Sequence, residues 1–376
     1  MTRALLAVVL ILGHVPVAAA RMRAVRHPSP YVPPAAIVAA AQQAAQSAMD
    51  SGVPAVEIAV GHRDRIIYSA AFGVTDKVNA TLATPRSVMQ IGSVTKQFTA
   101  AAILRLAERG ALTLDDPIQK YVPEFDTRGK TITLRRLMSH TAGIPREWML
   151  PAQNPFAPAT RAQFIQSLNQ KPLLFAPGAG WSYSNAGYML LGYAIESITG
   201  KSYADFIHEE FALPLGLIDT GLCGTHNLPL PEGYAGLVPG LSTMKPVHPS
   251  TSQSSGSLCS TASDLARWAH LLATGLVMLP ASYETMSTPA RLANNTVVAN
   301  GYGLGLVSDT ILGHPAVWHD GAIDGYQSLL LYFAEEDLAV AVTVNAFPTK
   351  TAGSPQTVAY AVANAAFGVL SQVTAP

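Results

Sequence analysis

Met89-Gln90-Ile91-Gly92-Ser93-Val94-Thr95-Lys96-Gln97-Phe98 decides how this chain is read. A glycine leads into an Ala- and Leu-rich run, and a helix starting near Ser93 places residues three apart on one face. The Ser93 hydroxyl and the Lys96 amine then lie side by side at a helix N-terminus. That end carries free N–H groups and partial positive charge, which suit a developing oxyanion. A serine is a poor nucleophile until a neighbouring base takes its proton. A lysine is that base only when burial or a nearby cation lowers its pKa. The stretch therefore proposes serine chemistry without a histidine base. Spacing alone is weak, because Ser242-Thr243-Met244-Lys245 repeats it. Pro246 follows that copy at once and disfavours helix before it, so the copy is expected to be loop.

Two further elements follow in order. Tyr183-Ser184-Asn185 comes after the turn-rich Pro177-Gly178-Ala179-Gly180-Trp181-Ser182 and before an apolar helix, Gly187 to Thr199, ended by Gly200. A tyrosine shares proton transfer with a lysine if its pKa falls beside that cation. An asparagine two residues on can bind both the lysine and a substrate amide carbonyl. The plainer reading makes Asn185 the helix cap and Tyr183 a packed ring. The third element, His319-Asp320-Gly321-Ala322, ends a strand, and Gly325-Tyr326 opens the returning one. Gly321 on an edge lets a substrate backbone approach closely. The Ala322 N–H can join that of Ser93 in an oxyanion hole. His319 holds a substrate carboxylate or belongs to the hydroxyl network; its plain reading is a surface histidine in a turn.

The chain opens Met1-Thr2-Arg3, runs through an apolar stretch to Leu12, and reaches Ala18-Ala19-Ala20 before Arg21. This is the pattern of a secretory signal peptide over residues 1–20, too short for a comfortable membrane span. Residues 21–34 read as a basic, Pro-rich leader, and 35–376 as the working domain. Val56–Val60 and Ile66–Ala70 form a hairpin through Arg63-Asp64. Residues from about 111 to 275 read as helices and loops, with Thr133, Ser263 and glycines 200 and 275 as caps and stops. Strands return at Tyr302–Val307, Ala316–His319, Gln327–Phe333 and Leu338–Asn345, before a last helix from Thr357 to Leu370. The simplest assembly pairs strands from both chain ends in one antiparallel sheet with an inserted helical lobe. Lys plus Arg balances Asp plus Glu at 24 each, so no polybasic nucleic-acid signature is present. With 49% hydrophobic and 13% charged residues the composition is that of a globular enzyme. The two cysteines, Cys223 and Cys259, are expected to pair in an oxidising compartment; two buried thiols are the other reading. No G-x-S-x-G elbow and no H-E-x-x-H occur.

The order S-x-x-K, Tyr-Ser-Asn, His-Asp-Gly is a variant of the S-x-x-K, S-D-N, K-T-G set of penicillin-recognising enzymes. From about Ala36 to Gly368 the chain resembles the serine β-lactamase-like family. That family includes class C β-lactamases and related D-alanyl-D-alanine carboxypeptidases, esterases and D-aminopeptidases. Leu137 to Ile144, Phe175-Ala176-Pro177-Gly178, Leu213 to Leu217 and Ser260 to Ala266 support the resemblance. It implies an α+β, β-lactamase/transpeptidase-like fold: an antiparallel sheet flanked by helices, with an inserted mainly helical lobe. It implies Ser93 as nucleophile, Lys96 as the group that helps deprotonate it, and Tyr183 as proton shuttle. Asn185 positions the acyl amide, Ser93 and Ala322 supply oxyanion N–H groups, and no metal or cofactor takes part. His140, in Ser139-His140-Thr141-Ala142-Gly143, is given loop structure and no chemistry.

One departure matters. Class C β-lactamases carry Lys-Thr-Gly where this chain has His319-Asp320-Gly321. Lys350-Thr351-Ala352-Gly353 lies past the last strand and lacks the following turn, so it is not the third element. The cationic anchor for a β-lactam carboxylate is weakened, and Asp320 adds negative charge there. The expected protein is a periplasmic or secreted serine hydrolase acting on a small-molecule ester or peptide, of esterase or D-alanyl peptidase type. It has no nucleic-acid partner and no stable membrane span after signal cleavage. A β-lactamase, or a non-catalytic cell-wall-peptide-binding protein of the same fold, is the alternative.

Overall fold

A computed structural model describes residues 32–146, 154–229, 232–235 and 242–373 of the chain. The expected leader at 1–20 lies outside the described residues, as does all but the end of the 21–34 stretch. Near the N-terminus, β1 (Ala55–His62) and β2 (Arg65–Asp76) form the expected hairpin, with Arg63 at φ +56° in its turn. A two-residue β3 (Thr81–Leu82) follows. The C-terminal part supplies β4 (Val307–Ile311), β5 (His314–Ile323), β6 (Tyr326–Phe333) and β7 (Leu338–Val344). The sheet order is β3-β2-β1-β7-β6-β5-β4. Its two halves join where β1 runs antiparallel to β7, from Val56 opposite Val344 to His62 opposite Leu338.

The sequence of β7 explains how both faces are covered. Leu338, Val340, Val342 and Val344 point to one face and pack with Ile37, Ala41 and Ala45 of α1 (Ala35–Asp50). Val358, Val362 and Ala366 of the C-terminal helix, Pro355–Val373, complete that layer. Ala339 and Ala341 point the other way, into the core that holds Leu265, Ala266 and Trp268 of the helix Ala262–Ala273. A strand buried on both faces reads as a continuous apolar run, here large on one side and small on the other.

That second core also contains α2 (Thr95–Glu108), in which every residue from Thr95 to Leu104 is buried. Phe98 stacks on Trp268 at 3.9 Å between ring centroids. Across α2 lies α3 (Asn185–Thr199), ended by Gly200 in the left-handed region. From Pro33 onward the described residues form one compact unit. Among the described residues no helix is long and apolar enough to cross a membrane.

Several local expectations change. The cap of α3 is Ser184, whose hydroxyl accepts from Gly187 N–H, and Asn185 is the first helical residue. Both residue types cap well, and only one position holds the extended backbone a cap needs. The helix at 262 is capped by Thr261; Ser263 instead shares a hydrogen bond with Ser69 at 2.8 Å. Tyr302 to Leu306 is not a strand. Gly305, at φ +82°, turns the chain, and only an isolated Tyr302–Val307 bridge remains. The second S-x-x-K is neither helix nor plain loop, since Thr243-Met244 pairs with Gly233-Tyr234 in a short ribbon.

A small sheet sits beside the start of α2. Met89 and Gln90 pair with Ser260 and Cys259, and Cys259 also opposes Gly221. Cys223 and Cys259 are joined by a disulfide, their Cα atoms 5.1 Å apart and 36 residues apart in sequence. Closing a loop of that length contributes about 3–4 kcal/mol in the chain-entropy account. The Cys223→Ser, Cys259→Ser double variant is therefore expected to lose about that much stability in urea unfolding at neutral pH. A loss below about 1 kcal/mol would show that the bridge does not restrain the unfolded chain as supposed.

Candidate active site

Ser93 stands in a 3-10 turn, Gly92–Val94, that runs straight into α2. The turn is held from several sides. Ile91 N–H donates to Leu258 O at 3.0 Å, and Leu258 N–H donates to the Thr95 hydroxyl at 3.1 Å. From the sheet, the Ser328 hydroxyl donates to Ile91 O at 2.8 Å. Gly92 has φ +48°, and a Cβ there would lie 2.6 Å from Ala322 N. A Cβ on Gly321 would lie 2.0 Å from Ile91 O. Two glycines thus let β5 rest directly on the nucleophile turn. The pairing of β5 with β4 ends at Trp318, which leaves 319–323 as an open edge beside Ser93.

Lys96 is the second residue of α2, one turn on from Ser93, and is 0% exposed. Its Nζ is 2.9 Å from Ser93 Oγ, 2.7 Å from Asn185 Oδ1 and 2.7 Å from Ser255 O. The Tyr183 and Tyr188 rings flank it, with centroids 4.7 and 5.5 Å from Nζ. Burial pushes its pKa well below the ordinary lysine value, while the charge of Asp320 pulls weakly the other way. A neutral amine has two N–H donors and one lone pair. Nζ donates to Ser93 Oγ, Asn185 Oδ1 and Ser255 O; once neutral it keeps two of these donors, and its lone pair can turn to the Ser93 hydroxyl.

Tyr183 and Asn185 are partly exposed beside this group. Burial raises the Tyr183 pKa far above the usual phenol value; a hydrogen bond with Ser93 lowers it, Asp320 raises it and Arg146 lowers it. The expected fall beside the lysine does not occur, because burial outweighs the hydrogen bond with Ser93 and the charge of Arg146, and Tyr183 keeps its proton. With Asn185 Oδ1 turned to Lys96, its Nδ2 is left for a substrate carbonyl.

His319 is only 2% exposed. Its Nδ1 is 2.5 Å from Asp320 O, so Nδ1 carries the hydrogen and Nε2 accepts from the Tyr302 hydroxyl at 3.1 Å. Of its two expected roles, the hydroxyl network is the one the geometry gives. Burial is the chief cause that lowers its pKa to about 4, helped by Lys96 and opposed by Asp320.

Sequence reasoning missed two contributors, Ser255 and Tyr302, while His140 takes the structural part expected of it. Ser255 O leaves no side-chain signature. Tyr302 enters through the Gly305 turn. His140, buried at φ +61°, grips the Tyr183 segment twice: its carbonyl accepts from Ser182 N–H at 2.9 Å and its Nδ1 from Ser184 N–H at 3.1 Å. Its ring lies 4.3 Å from that of Tyr183 and 4.6 Å from that of Tyr302. With Nδ1 accepting, Nε2 bears the hydrogen; burial first, then Lys96 and His319, hold the ring neutral.

This arrangement can be set beside known proteins. The β-lactamase family pattern matches residues 39–365. The chain belongs to the β-lactamase family. Its fold is the β-lactamase/transpeptidase-like one. It is 29% identical over 288 residues to "Penicillin-binding protein 4*" of Bacillus subtilis (strain 168), covering 72% of this chain and 63% of that protein. It thus spans less than two thirds of the length of that curated relative. A D-stereospecific amidohydrolase from Streptomyces sp. is 28% identical at a TM-score of 0.72, over 85% of this chain and 96% of that one. The D-amino acid amidase from Ochrobactrum anthropi SV3, in complex with L-phenylalanine amide, is 25% identical at a TM-score of 0.77, covering 89% and 99%.

Two predictions follow from the packing. Gly321→Ala must push β5 off Ile91, and it is expected to lower kcat about 100-fold on any substrate. A wild-type rate would mean that this contact does not set the oxyanion edge. His140→Ala frees the Tyr183 segment and is expected to cost about 10–100-fold in kcat. His140→Asn keeps a side-chain acceptor and tolerates positive φ, so it should recover a good part of the loss. Equal rates in the two variants would remove the positioning role.

Proposed function

We propose that Ser93 forms an acyl-enzyme with an ester or amide substrate, of esterase or D-amino-acid amide or peptide type, and that Lys96 in its neutral form is the base. The observation that carries this reading is the buried Lys96 Nζ, 2.9 Å from Ser93 Oγ, with Asn185 Oδ1 and Ser255 O engaging its N–H groups.

The Lys96 lone pair takes the Ser93 proton while Oγ attacks the carbonyl carbon. The oxyanion is held by the N–H groups of Ser93 and Ala322, fixed in advance by the Gly92–Gly321 contact. Tyr183, still protonated, gives its hydrogen to the leaving oxygen or nitrogen and is reprotonated from Lys96. In deacylation a water attacks the ester carbonyl, its proton goes to the Lys96–Tyr183 pair, and Ser93 Oγ leaves and regains a proton from that pair.

A buried, neutral His319 and an exposed Asp320 argue for ester or amide substrates ahead of anionic β-lactams. The D-stereospecific amidohydrolase and amidase likenesses support the same class. The leader-like residues 1–20 and the Cys223–Cys259 disulfide support a periplasmic or secreted location. The domain limits proposed are 35–376, with the inserted helical lobe near 111–275.

Intact-mass analysis across p-nitrophenyl esters, D-alanyl peptides and nitrocefin tests this. The expected result is an acyl adduct on Ser93, absent in Ser93→Ala, with esters or D-peptides turned over faster than nitrocefin. Lys96→Ala is expected to lose about 100- to 10,000-fold in acylation. Nitrocefin as much the best substrate would overturn the ranking. The sign of the pH dependence is fixed by the same groups. A depressed Lys96 pKa means that acylation rises with pH through a value well below 10.5. A raised Tyr183 pKa means no alkaline fall near 10. A rate that keeps rising through the ordinary lysine value would contradict the neutral base.

A further inference from the structure

We infer that Asp320 is a specificity-determining residue that selects substrates with a cationic group beside the scissile bond and rejects those with a carboxylate there. This rests on the hydrolase reading above and names the substrate class for the same site.

The edge strand provides the first argument. Residues 319–323 have no strand partner on the side facing Ser93. Ala322, on that edge, is exposed and its N lies against the nucleophile turn. Asp320 is two residues away, about 6–7 Å along an extended chain. A substrate with its carbonyl oxygen at Ala322 therefore has its neighbouring groups within reach of Asp320.

Charge provides the second. The Asp320 side chain is 70% exposed, and the ion pairing found for it is with its own neighbour, Oδ1 3.8 Å from His319 Nδ1. That ring is neutral near pH 7, since its pKa is lowered to about 4. Among the described residues no lysine or arginine lies within ion-pair distance of Asp320. Two cationic side chains act at the site without pairing to Asp320: Lys96, buried against Ser93, Asn185 and Ser255, and Arg146, whose charge reaches Tyr183. The edge thus presents a negative charge with no lysine or arginine among the described residues paired to it.

The surrounding surface provides the third. Trp181 and Tyr183 are both partly exposed, with ring centroids 6.5 Å apart, and Tyr183 lies 6.3 Å from the His319 ring. Aromatic faces next to a carboxylate receive an ammonium.

The test uses two matched ester series on the full chain. One fixes the acyl half and varies the leaving half among a trimethylammonium, a neutral tert-butyl isostere and a carboxylate. The other places the same three groups on the acyl half. The readout is the ratio of kcat/KM between charged and neutral members within one enzyme, so a variant of lower overall activity still reports. In at least one series wild type is expected to favour the cation over the neutral isostere by about fivefold to tenfold, with the anion slowest. Asp320→Asn should bring the three within about threefold, Asp320→Lys should invert the order, and Asp320→Glu should keep it. The preference should shrink in high salt. Unchanged ratios in Asp320→Asn, with the neutral ester still turned over, would overturn the assignment alone. No Ser93-dependent turnover of any ester would overturn the hydrolase reading, and this assignment with it.

Discussion

An amine carried out of water gives up its proton more readily, and the middle of this molecule carries Lys96 out of water. Every residue of α2 from Thr95 to Leu104 is buried, with α3 on one side and the helix Ala262–Ala273 on another. What surrounds the amine matters as much as its depth. Its partners are an amide oxygen, a backbone oxygen and a hydroxyl, with tyrosine rings beside them. A carboxylate in place of Asn185 would hold the ammonium form and leave Ser93 without a base. The two nearby histidines obey the same constraint, since burial keeps both His140 and His319 neutral and adds no further cation or anion to the pocket.

The second requirement is to bring distant parts of the chain to this amine. Pairing of β1 with β7 closes the sheet, and the β5–β6 hairpin then reaches the start of α2. Contact is as close as backbone permits, because Gly92 and Gly321 have no side chains to separate the two segments. Ser328 ties β6 to Ile91, and the Cys259 strand ties the opposite side through Gln90. The disulfide lies four residues past Ser255, whose carbonyl holds the lysine. Sheet, small ribbon and disulfide therefore share one task, which is to fix the turn that carries Ser93.

Much of this was legible in the sequence, and the rest was hidden for physical reasons. Ser93, Lys96, Tyr183 and Asn185 were visible because their chemistry depends on side-chain type at short, ordered spacings. The sheet was visible because apolar runs at both chain ends needed partners. Asn185 had a plainer reading as the helix cap, but Ser184 beside it does that work, which leaves the Asn185 amide for Lys96. Tyr302 looked like part of a strand until the left-handed Gly305 turned it towards His319. The direction of the Tyr183 shift could not be read from a motif, because it is set by burial. Ser255 and His140 act through a backbone carbonyl and through contacts across 40 or more residues, which no local pattern records.

The most direct test of this account is the titration of Lys96 itself. In protein labelled with 13C-lysine, the Lys96 Cε resonance, assigned by its loss in Lys96→Arg, can be followed against pH. The account predicts a midpoint well below the ordinary 10.5, with the amine neutral where the enzyme works. A Lys96 that stays an ammonium up to or beyond that ordinary value would contradict it.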